Sequence, residues 1–290
     1  MKKPLMALLA ALSILPSWRN ARAGEDAARA PGAGGVTKIP MLVMPLGFSD
    51  CGLTLSDEAW HLKVFSTPTR EEEDRRFDLF GFCGTSVNHY FDEITCGRFR
   101  FEPAEETCGA VNDGVVRVVL GEKHPHEDAA AMARAVRLAI AKAAQYVNLM
   151  RYDLNADHVL GARELVVIVV AAGGTADNTY SRNRTFYSRL DARGCSIPSF
   201  VVVSERRDDL RDVYAKLAQS AGLKPEFRDF PVSVGTLVHE LGHAFGTPDL
   251  PGTGYLTAVG YGQKNGSPAR FPGTALEYGR SVPSHYGAFT

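Results

Sequence analysis

Two continuous apolar runs dominate the middle of the chain. ELVVIVVAAGG (164–174) and SFVVVSE (199–205) set β-branched residues at successive positions instead of alternating them with polar ones, the pattern of strands buried on both faces. KIPMLVMPLGFSD (38–50) is a third such run, bounded by proline, and reads as a buried strand passing into a loop. GRFRFEP (97–103) alternates Phe99 and Phe101 with charge, and GVVRVVL (114–120) reads as one more strand. Helical spacing appears at SVNHYFDEIT (86–95), where Ser86 is an N-cap and Val87, Tyr90, Phe91 and Ile94 share a face. It returns at 126–150, where Met132, Val136, Ile140, Ala143 and Val147 form the stripe of a long helix packed on a sheet. DDLRDVYAKLAQSAG (208–222) and VSVGTLVHELGHAFG (232–246) are two further helices. Beyond Gly246 the chain is rich in Gly, Pro and Tyr and loses its period. This succession predicts an α/β domain over 38–246, a mixed sheet with a long backing helix, and a small irregular C-terminal subdomain over 247–290.

The first residues stand outside that pattern. MKK is a positive n-region, PLMALLAALSILP an apolar h-region, and ARA a small-residue cleavage site. Met1–Ala23 reads as a secretory signal peptide cut after Ala23, with residues 24–37, which include APGAGG, as a linker. The expected localisation is secreted or periplasmic. A retained membrane anchor is the alternative, but the h-region is short and followed by A-x-A; no later segment approaches the roughly 20 apolar residues of a span. Losing Met1–Ala23 removes Lys2, Lys3, Arg19 and Arg22 and no acid, moving the formal net charge from −1 to −5. REEEDRR (70–76) is mixed in sign, a solvated helix face. The balance argues against nucleic acid and anionic membranes as partners. Cys51, Cys83, Cys96, Cys108 and Cys195 show no zinc-type CxxC spacing. Export makes disulfides expected in the first half, with an odd thiol left over.

The chemistry concentrates in HELGHAFGTPDL (239–250). His239 and His243, at i and i+4, leave one helix face close enough to share an ion. Glu240 sits about a third of a turn round, placed to act on a metal-bound water instead of ligating. Two His ligands and a Glu general base are the equipment of zinc-assisted hydrolysis. Gly246 ends the helix and turns the chain back, bringing Asp249 to the third ligand position. Pro248 stiffens that approach by restricting Thr247. Glu277 and His285, in the C-terminal piece, are the rival third ligands. A second candidate lies in YDLNADHVLGARE (152–164). Asp153, Asn155 and Asp157 fall at positions 1, 3 and 5 of a calcium loop, the Val159 carbonyl at 7 and Glu164 at 12. His158 takes position 6, where glycine normally makes the turn at positive φ. The plainer reading is an Asp/Asn turn before a strand; the calcium reading is a structural site pinning the long helix to the central strand.

These segments together resemble the immune inhibitor A family of secreted bacterial metallopeptidases. Its motif, HExxHxxGxPD followed by Leu, is matched by HELGHAFGTPDL. KIPMLVMPLGFSD is similar to its first strand, SVNHYFDEITCGRFRF to its helix-then-strand block, and YDLNADHVLGARELVVIVVAAGG to its calcium-like segment and central strand. The resemblance implies a zincin-like, metzincin-related fold and endopeptidase activity on a protein or peptide substrate. It implies a catalytic zinc on His239, His243 and Asp249 with Glu240 as base, and calcium stabilisation. The chain departs from the family at Thr247 and Pro251, where Leu and Tyr are usual. It also lacks the Met that related zincins place beneath the metal, LTAVGYG (256–262) occupying that turn.

Two functions follow as expectations. One is an exported zinc endopeptidase, with Tyr255 or Tyr261 available to assist the oxyanion and activity falling as pH drops through the imidazole range. The other is a catalytically silent zincin-fold binding protein with structural zinc. The departures speak for the second and the intact Glu240 for the first; a non-peptidase zinc hydrolase would carry the same motif.

Overall fold

A computed structural model describes residues 35–69, 72, 86–126, 128–174, 184–186, 190–206, 232, 234–247, 269–270 and 277–278. The chain divides into Met1–Thr37 and Lys38–Thr290; the second unit holds the hydrophobic core. The apolar runs become strands β1 (Thr37–Gly47), β4 (Val166–Gly174) and β8 (Phe200–Arg206). They lie side by side and parallel, with Met41 opposite Val166 and Ile168 opposite Val201. All nine residues of β4 are buried, because it is covered on both faces and paired on both edges.

The sheet runs β2-β1-β4-β8-β5, with β2 (Phe99–Pro103) on one side and β5 (Arg184–Phe186) on the other, while β3 (Val118–Val119) also pairs β1. β5 is antiparallel to β8, so the architecture is mixed α/β with a mostly parallel sheet. A short hairpin, β6 (Leu190–Ala192) with β7 (Cys195–Ile197), precedes β8. In the C-terminal region β9 (Ala269–Arg270) pairs antiparallel with β10 (Glu277–Tyr278).

Period-two alternation splits the core. Leu42, Met44, Leu46, Val167, Val169 and Val202 face one side, where α3 (Ala129–Ala143) lays down Met132, Val136, Ile140 and Ala143. Met41, Val43, Ile168, Val170, Val201 and Val203 face the other. There α1 (Asp57–Phe65), α2 (Val87–Thr95) and α4 (Val234–Ala244) pack. The long helix therefore backs the sheet on the face opposite the HExxH helix. It begins where Asp128 accepts from Ala130 N and Ala131 N at 2.9 and 3.0 Å. It is shorter than the expected 126–150: Thr107 N takes the Tyr146 carbonyl at 3.1 Å, and a 3-10 turn follows at Leu149–Tyr152.

Ser86 caps α2 as expected, accepting from His89 N at 3.0 Å. Buried Asn88 then ties the helix to its neighbours, donating to Phe65 O at 3.0 Å and Phe101 O at 2.9 Å and accepting from Phe101 N at 2.7 Å. The strand expected over 114–120 is corrected: only Val118–Val119 forms, with an isolated bridge from Val43 to Val115. Gly114 sits at φ 75 against Pro103, and Arg117 reaches away to Asp57 Oδ1 and Leu55 O at 2.7 and 2.6 Å. Cys96, Cys108 and Cys195 are thiols, so the expected stapling does not occur at Cys96 or Cys108. The helix expected over 208–222, Cys83, and REEEDRR apart from Glu72 lie outside the described residues. No helix among the described residues is long and apolar enough to cross a membrane.

Candidate metal centre

α4 is buried along most of its length, from Val234 to Gly242, because it lies on β8 and β5 and beside α2. Its histidines emerge one turn apart, and the i, i+4 spacing brings them together: His239 Nε2 and His243 Nε2 stand 3.1 Å apart. The rings cross nearly at right angles, 84°, with centroids 4.6 Å apart. His239 and Glu240 are 8% and 5% exposed.

The helix terminus fixes His243. Gly246, at φ 87, adopts the left-handed conformation. Thr247 N donates to Gly242 O at 2.9 Å and Gly246 N to His243 O at 2.8 Å, the paired bonds of a Schellman cap. That cap delivers the Thr247 carbonyl to His243 Nδ1 at 2.7 Å. The carbonyl only accepts, so Nδ1 carries the proton and Nε2 keeps its lone pair toward His239. Nitrogens bound to one tetrahedral zinc at about 2.0–2.1 Å stand roughly 3.3 Å apart, close to the spacing found. The two imidazoles therefore fit such an ion. Phe245 secures the same terminus to β2, 6.1 Å from Phe101 and 6.2 Å from Phe99 between centroids.

Asp249 lies outside the described residues, as do His285, Tyr255, Tyr261 and the 256–262 turn. Of Glu277 only its backbone place in β10 is described. Among the described residues no three His, Cys, Asp or Glu side chains gather as a metal group; the structure brings together His239 and His243, with Glu240 beside them in sequence.

Two contacts were not foreseen. Thr185, in β5, donates from Oγ1 to the Glu240 carbonyl at 2.7 Å, and the same oxygen stands 3.4 Å from Glu240 Oε2. Glu205, fully buried near the end of β8, accepts at Oε1 from Thr54 N and Leu55 N, both at 2.8 Å. Its carbonyl accepts from Val232 N at 2.8 Å, just ahead of α4. An acid closing a strand-like run, SFVVVSE, was the available signal.

In the 153–164 loop the turn forms from the side chains named. Asp153 accepts from Asp157 N at 3.1 Å and His158 N at 3.0 Å, and Asp157 from Val159 N at 2.7 Å. Asn155 Oδ1 accepts from Asp157 N at 3.0 Å. Glu164 closes the loop, accepting from Leu154 N at 3.2 Å and Gly161 N at 3.1 Å. His158 has φ 62, the conformation position 6 demands, and Ala156 has φ 57. The loop then pairs with β7, Leu160 N to Ser196 O and Ser196 N to His158 O, both 2.8 Å. Burial pushes the neighbouring Cys195 thiol above its ordinary value, and the charges of Asp153 and Glu164 add to the effect.

Neither protein-family models nor curated proteins give a match to the chain.

Proposed function

We propose that this chain is an exported zinc-dependent endopeptidase of zincin-like fold, acting on protein or peptide substrates in a secreted or periplasmic setting. The observation that carries the reading is the His239–His243 pair, with Nε2 atoms 3.1 Å apart and His243 held by the Thr247 carbonyl. The place of α4 supports it as well: the helix lies against β8 and the antiparallel strand β5, which ends the strand order among the described residues. An extended peptide pairing along such a strand would bring its backbone beside the helix that carries the motif.

His239 and His243 hold the zinc through Nε2, and Asp249 is the proposed third donor. The ion, when bound, supplies an acidified water and a Lewis acid. Glu240 takes a proton from the attacking water as the new C–O bond forms. It returns that proton to the leaving nitrogen as the C–N bond breaks, so base and acid are one carboxyl group. A structural calcium on Asp153, Asn155, Asp157, the Val159 carbonyl and Glu164 is proposed alongside, with no role in the chemistry. The test is hydrolysis of unfolded casein by the chain from Gly24, beside Glu240→Ala with its zinc content measured. Cleavage by the first alone, with zinc in both, upholds the reading. Zinc in both and cleavage by neither would turn it to a binding protein that keeps zinc for structure.

A further inference from the structure

We propose that Thr185 is a positioning residue for Glu240, its hydroxyl setting where the general base stands relative to the edge strand; the inference rests on the peptidase reading above. β5 is three residues long, and its alternation is visible in its neighbours. Phe186 stacks on Phe200 with centroids 5.2 Å apart and planes 2° from parallel, on the α3 face of the sheet. The next residue back must then face α4, and Thr185 does, opposite Val201 in register.

A hydroxyl has one proton and two lone pairs. At 2.7 Å the proton of Thr185 goes to the Glu240 main-chain carbonyl, and the same oxygen stands 3.4 Å from Glu240 Oε2. Both contacts fall on the one residue of the helix whose carboxylate is needed for proton transfer. The branched Cβ of threonine restricts χ1, and antiparallel pairing with β8 holds the backbone beneath it. The donor is therefore preset, and it fastens helix to strand at the base. If a substrate backbone runs along β5, this bond fixes the offset between the scissile carbonyl and Glu240. Misplacement of that order costs turnover more than binding.

A merely structural bond would lower stability and zinc retention together. A positioning bond lowers kcat, leaves KM in place and is restored by any side chain that returns the hydroxyl. The experiment compares the chain from Gly24 with Thr185→Val and Thr185→Ser on a fluorogenic peptide. Zinc content, Tm and a crystal structure are determined for each. The expected result is a roughly ten- to hundred-fold fall in kcat for Thr185→Val at unchanged KM and full zinc, with Thr185→Ser retaining most of the activity. Wild-type kcat in Thr185→Val, or equal losses in both variants, overturns the proposal. A wild-type chain that cleaves nothing sinks the peptidase reading instead. The crystal structures then decide the positioning claim by themselves: a Glu240 carboxylate displaced in Thr185→Val alone upholds it, and one left in place defeats it.

Discussion

The HExxH helix and the 153–164 loop both assemble side chains of metal-binding type, yet the local fold accounts for only one of them. In the loop, Asp153, Asp157 and Glu164 each accept main-chain N–H bonds. Acids and an Asn are what such a turn requires on its own account, although carboxylate oxygens retain lone pairs for a cation. On α4 two imidazoles face one another at 3.1 Å, and nothing in forming a buried helix calls for that. The imidazole pair, which no turn accounts for, therefore supports the zinc proposal more than acids already occupied by a turn support the calcium proposal.

The sharpest way to break the contrast is His243→Ala. It removes one of the two converging nitrogens, and zinc content measured after dialysis should fall to background, with peptide hydrolysis lost beyond detection. Retained zinc would mean that the pair is not the metal's anchor. Glu240→Gln is next: zinc should stay bound while kcat drops roughly 10²–10⁴-fold, the range for loss of a general base. Equal loss of zinc would make Glu240 a ligand or a structural group. In the loop, Asp157→Ala should cost about 0.5–1.5 kcal/mol in urea unfolding even in chelator, because Val159 N, on an exposed turn, loses its acceptor. If calcium binds as well, millimolar calcium should raise the Tm of the parent chain and raise that of Asp153→Ala much less. No calcium effect in either would leave the loop as a turn alone. The smallest effect is expected from His158→Gly. It relieves a left-handed histidine, φ 62, and gives up a 3.7 Å approach from the exposed His158 ring to the buried Asp153 carboxylate, longer than a hydrogen bond. Stability should rise by about 1 kcal/mol or less, since glycine's freedom in the unfolded chain offsets part of the relief.

The legible parts of the sequence were those whose pattern has a single physical cause. Three uninterrupted apolar runs became the three central strands, because burial on both faces leaves no polar position to show. Ser86 and Gly246 marked a helix start and a helix end through backbone chemistry that local sequence controls. α1 was not legible, although Ser56 caps it by accepting from Ala59 N at 3.1 Å. Its buried face includes Lys63, 1% exposed, and a cation at a core position erases the apolar period. β5 was hidden because three residues, Arg184–Phe186, are too few to display alternation. Its partnership with Glu240 is a contact 55 positions apart in the chain, which no window reads. The same limit applied to Glu205, whose place in an apolar strand was visible while its donors were not. The His239–His243 pairing was legible because i and i+4 on a helix is a local fact. Asp249, beyond the helix, depends on a chain path that local spacing does not fix.

The buried Glu205 has a bearing on timing. Its carboxylate serves Thr54 N, which lies 151 positions earlier in the chain, and its carbonyl receives Val232, on the approach to α4. A chain growing from its N-terminus makes the loop after β1 long before the acceptor that loop requires. Until β8 arrives, that loop has no carboxylate to close on, and the segment leading into the histidine helix is made only afterwards, onto a seat β8 already provides. The proposed chemistry is therefore among the last things this chain becomes able to do as it is made.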